Sequence, residues 1–120
     1  MNSIANKTRI AGDTSHRLGE LTKSLKGWNL LVGLYADTRN SQDDLIHAYA
    51  AEARELVLLS LRLTFELGAA GLRGNKSRFD QLLKRLEELD ERERKLAVLC
   101  REVMCAKNPS SEKSTTQAIR

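Results

Sequence analysis

Residues 77–105 read SRFDQLLKRLEELDERERKLAVLCREVMC, and the apolar positions of this stretch decide the fold class. Phe79, Leu82, Leu86, Leu89, Leu96, Cys100 and Val103, with Glu93 taking the place of an apolar residue, alternate by three and four across more than three heptads. A helix advances about 100° per residue, so this spacing gathers them into one stripe, whereas a strand would scatter them over two faces. Glu88–Arg92, Asp90–Arg94 and Glu91–Lys95 stand four apart with the acid first, the order that supports an exposed helical face. Ser77 and Asp80 have the capping-box form that opens a helix. The stretch predicts a helix over 77–105. Glu93 has two readings: a boundary residue reaching toward Arg92 or solvent, and a polar seam position that fixes register or oligomeric state in a paired helix.

Working toward the N-terminus, Gly71, Gly74 and Asn75 supply the permissive residues of a helix-to-helix connection. A second helix is predicted over 42–69, introduced by Ser41 and Asp44 in another capping-box arrangement. Its first face is Leu45, Tyr49, Ala53, Leu56, Ser60, Leu63 and Leu67, an alternation of four and three. A second apolar face, Leu58, Leu61 and Phe65, clusters almost opposite, with Arg62 and Glu66 beside it. Such a helix either packs on two sides or leaves a patch for a partner to cover.

Asp37 to Ser41 is a polar break. Before it, Leu18, Leu21, Leu25, Trp28, Val32 and Tyr35 recur every three or four residues and predict a first helix over 14–36, capped by Asp13 or Thr14. Leu30 and Leu34 fall outside that face. Gly19, Gly27 and Gly33 each weaken the helix by roughly 1 kcal/mol relative to alanine, so tertiary contacts must offset them. Residues 1–12 are expected to be a flexible N-terminal arm. Residues 106–120, with Pro109, three serines and two threonines, are expected to be a disordered basic tail. Residues 13–105 are then one helical domain.

Composition agrees. The 120 residues carry a single proline and few aromatics, so the core must be Leu and Ala, as in helical bundles. Lys plus Arg number 20 against 16 acids, and the excess lies at the two ends: six against three in residues 1–40, three against one in residues 106–120. So mild a surplus tolerates an anionic partner without requiring one.

The residues for chemistry are sparse. Cys100 and Cys105 lie about 140° apart on a helix, a poor geometry for a disulfide within it, and nothing nearby completes a metal site. Two reduced thiols point to the cytoplasm. His16 and His47 belong to no metal-ligand or catalytic spacing. The acids Glu87, Glu88, Asp90, Glu91 and Glu93 are interleaved with basic residues and read as a salt-bridged face. Gly74-Asn75-Lys76-Ser77 lacks the preceding glycines and strand of a phosphate loop. The apolar run 56–72 is interrupted by Arg62 and Glu66, which excludes a membrane span. No catalytic residue, cofactor, metal or small-molecule substrate is expected.

The expected architecture is all-α: a three-helix antiparallel bundle, or a helical hairpin plus a packing helix, oligomeric, with disordered termini. The expected role is a non-catalytic interaction protein that packs against itself as a homodimer or against a helical partner. Its candidate interface is Trp28, Tyr35, Leu58, Leu61, Phe65 and Glu93. The alternative is a dimeric DNA- or RNA-binding regulator that contacts phosphates through Lys7, Arg9, Lys23, Lys26 and Arg39.

Overall fold

The computed structural model describes residues 2–37 and 40–107, with side chains placed for 13–37 and 40–106. It consists of α1 (Asn2–Leu34), α2 (Ser41–Arg73) and α3 (Lys76–Lys107), with no strand among the described residues. Each helix is about 50 Å long at 1.5 Å per residue, and the three form a bundle.

The helices are longer than their apolar patterns imply. α1 starts at Asn2, so residues 2–12, expected as an arm, form its first turns. Gly12 is the strongest opponent of helix there, while Ala5, Lys7, Arg9 and Ala11 favour it. α2 continues past residue 69 to Arg73, because Gly71 is tolerated inside the helix and the stop comes from Gly74. Gly74 adopts φ 72° and ψ 21°, the left-handed region. Its N–H reaches the Gly71 carbonyl at 3.1 Å, and the Asn75 N–H reaches that of Ala70 at 2.9 Å, which together make a Schellman termination.

Both predicted capping serines are displaced by an asparagine upstream. The Asn40 side chain accepts the Asp43 N–H at 2.9 Å, and the Asn75 side chain accepts that of Arg78 at 3.2 Å. Asparagine caps at least as well as serine, and Asn40 has the extended backbone of an N-cap, φ −141° and ψ 163°. Gly74 and Asn75 thus end one helix and start the next, which makes α2 and α3 a tight hairpin.

α2 runs between the other two helices. Arg92 meets Glu52 at 2.7 Å and Arg78 meets Glu66 at 2.9 Å, so α3 runs antiparallel to it. Thr14 and Arg17 lie beside Gly68 and Thr64, so α1 is antiparallel to it as well. Among the described residues, no Cα of α1 approaches a Cα of α3 within 8 Å. Side chains alone join those two helices.

The α3 stripe faces the core as its spacing predicts: Leu82, Leu86, Leu89, Leu96 and Cys100 are buried. On α2 the stripe is rotated by about one residue. Ile46, Ala50, Ala53, Val57, Ser60, Thr64 and Leu67 are buried, while Leu45 is exposed. A helix packed on two sides buries a wide arc, and the small residues Ala50, Ala53, Ser60 and Gly68 let neighbours approach its middle.

Candidate interaction surface

One apolar cluster joins Leu21 and Trp28 of α1, Ile46, Ala50, Ala53 and Val57 of α2, and Leu96 and Cys100 of α3. A second joins Leu63, Leu67 and Ala70 of α2 to Leu82, Leu86 and Leu89 of α3, with no α1 residue among the described side chains. Here α1 contributes a polar side chain. The Arg17 Nη2 donates to both carboxylate oxygens of Asp90, at 2.9 and 3.0 Å, and its Nε donates to the Thr64 hydroxyl at 3.2 Å. Thr64 is buried and its hydroxyl donates to the Ser60 carbonyl at 2.7 Å. A half-buried guanidinium–carboxylate contact is charge-assisted and stronger than a neutral hydrogen bond.

Trp28 was an interface candidate from the sequence, yet it is only 9% exposed. Its indole N–H donates to the Glu93 carboxylate at 2.9 Å. The interruption of the α3 stripe at Glu93 therefore supplies an acceptor for a core tryptophan of another helix. Tyr35 and Leu61 are half-buried against the same cluster.

Leu58 and Phe65 have no such cover, at 42% and 64% exposure, and Leu72 continues their line at 49%. The three recur every seven residues, about 10.5 Å per step along α2, on the flank turned away from α3. Arg62 and Arg73 are exposed beside this line. Glu66, which the sequence sets four residues after Arg62, turns to Arg78 on α3 instead. The predicted pairs within α3 also rearrange: Glu88 meets Arg85, Glu91 meets Arg94, Arg92 crosses to Glu52 and Asp90 to Arg17. Partners three apart or on the next helix lie nearer than those four apart.

Lys23 is exposed with its ammonium 3.6 Å from Glu20, and Lys26 is exposed on the same side of α1. The side chains of Lys7 and Arg9, and the whole of Arg39, lie outside the described residues, as does the tail beyond Lys107.

Sequence reasoning missed Arg17, Thr64 and Asp90. Their signal was positional: Arg17 stands four before Leu21, Thr64 four after Ser60, and Asp90 next to Leu89. Each lies on or beside a stripe in which only apolar residues were sought.

Among the described residues no group of three His, Cys, Asp or Glu side chains could hold a metal ion, and neither cysteine is in a disulfide. Burial pushes the Cys100 thiol above its ordinary pKa, the opposite of what a nucleophilic cysteine needs. A cleft of about 270 Å³ lined by Asp13, Thr14, Arg17, Leu67, Phe79 and Leu83 is smaller than most ligand sites, and its Arg17 is committed to Asp90. No described helix is long and apolar enough to cross a membrane. Comparison with protein-family models, curated proteins and solved structures finds no match for this chain.

Proposed function

We propose that this chain is a non-catalytic helical interaction protein, an adaptor, small chaperone or regulatory subunit, that acts by offering the outer flank of α2 to a partner. The observation that carries this reading is Phe65. It is 64% exposed, on a helix whose opposite side carries the buried Leu63 and Leu67, and in line with exposed Leu58 and Leu72. A large aromatic left in water beside aliphatic neighbours gains by desolvation when another surface covers it, and such residues dominate interface energetics.

The test is a Leu58→Ser/Phe65→Ser double variant compared with the natural chain by light scattering after gel filtration, by circular dichroism, and by binding to helical peptides. The expected result is unchanged helicity and thermal midpoint with loss of association. Global loss of helicity would place both residues in the fold's own stability, and association unchanged in a folded variant would remove the α2 flank from consideration.

A further inference from the structure

We infer, resting on that reading of the α2 flank, that its occupant is an amphipathic helix of a partner protein bearing acidic residues beside its apolar stripe. The charges around the stripe set the choice. Arg17, Arg54, Arg78, Arg85, Arg92 and Arg94 each have an acidic partner within 4 Å. Arg101 at the far end of α3, and Arg62 and Arg73, exposed beside Leu58, Phe65 and Leu72, are given no such partner among the described residues. The nearby acids are already engaged: Glu66 is 2.9 Å from Arg78, and Glu55 is 3.9 Å from Arg54. The border of the apolar line is therefore positive and uncompensated, and a carboxylate placed there would gain a partner at little desolvation cost.

The same charges disfavour a second copy. A two-fold axis through Phe65 and perpendicular to α2 would lay one α2 antiparallel on the other and bring the two copies of Arg62 onto one flank, like charge on like. The repeat of seven suits a helix as occupant. A helix lying along α2 meets it every seven residues through one apolar seam, and its flanking positions then face Arg62 and Arg73, which stand about 16 Å apart along the axis.

The probes are two labelled synthetic helices of about three heptads with the same leucine seam, one flanked by glutamates and one by lysines, titrated with the full chain by fluorescence anisotropy. The glutamate peptide should bind at least about tenfold more tightly, and added salt should narrow the gap. An Arg62→Glu/Arg73→Glu variant should reverse the preference, while Leu58→Ser/Phe65→Ser should abolish binding of both. Equal binding of the two peptides that still depends on Phe65 would overturn the acidic partner and leave the apolar surface standing. So would a Phe65-dependent dimer that binds neither peptide, which makes the second copy the occupant. A labelled RNA or DNA oligonucleotide that outcompetes the glutamate peptide in an Arg62- and Arg73-dependent manner would assign the flank to nucleic acid. If no association depends on Phe65, the underlying reading of the surface fails, and this one with it.

Discussion

At the end of the bundle where α1 finishes and α2 begins, Leu21 and Trp28 enter a common core with Ile46, Val57, Leu96 and Cys100. At the other end Leu63, Leu67 and Ala70 meet Leu82, Leu86 and Leu89, and among the described side chains α1 is tied on there by Arg17. The difference separates two ways of holding a helix. Burial of apolar area is undirected and is shared among all three helices at the first end. At the second, a directional pair joins α1 to α2 and α3, and the α2 flank beside it keeps Phe65 in solvent.

The largest expected effect comes from emptying the two-helix end. Leu86 is 2% exposed and sits in the cluster between α2 and α3. Leu86→Ala should lose about 3 kcal/mol in urea unfolding. Trp28, which belongs to the other cluster, should keep its native fluorescence below the transition. An early change at Trp28 would mean that the two ends share one core after all.

A smaller effect should follow from cutting the polar tie. Arg17→Met keeps most of the aliphatic stem but leaves Asp90 half-buried and unpaired, and should cost about 2 kcal/mol. Adding Asp90→Leu should recover part of the loss, since the removal of both partners leaves no stranded charge. A single variant as stable as the natural chain would show that α1 is held by its apolar end alone.

These two ends were unequally legible in the sequence. The α3 stripe could be read position by position because Leu82, Leu86, Leu89, Leu96 and Cys100 all face one neighbour, which leaves a narrow seam of regular spacing. α2 has two neighbours, so its buried arc takes in Ala50, Ser60 and Thr64, and apolarity no longer marks the inside. Arg17 carries no signal of its partners in the sequence, since a charge whose partners lie on two other helices leaves no local pattern. Trp28 and Glu93 were each singled out, but 65 residues separate them, and no periodicity within a helix links the donor of one to the acceptor of the other. The exposed line of Leu58 and Phe65 was readable as a second face. Leu61, grouped with them, turned toward the core because α1 lies on that side.

The smallest effect sharpens the comparison from within the helices. A Cβ added at Gly27, on the solvent side of α1, meets nothing within 4 Å, so Gly27→Ala changes only the backbone's conformational entropy and should stabilise the chain by about 1 kcal/mol. Gly68, at the two-helix end, is different. A Cβ there would stand 3.3 Å from the Thr14 Cγ2, tight enough to push α1 outward near Arg17. The same gain in helix propensity is then offset by strain at the Thr14 contact. Gly68→Ala should leave stability within about 0.5 kcal/mol of the natural chain. Equal stabilisation by the two alanines, measured by urea unfolding, would show that α1 moves freely at that end, with the Arg17 tie too loose to resist.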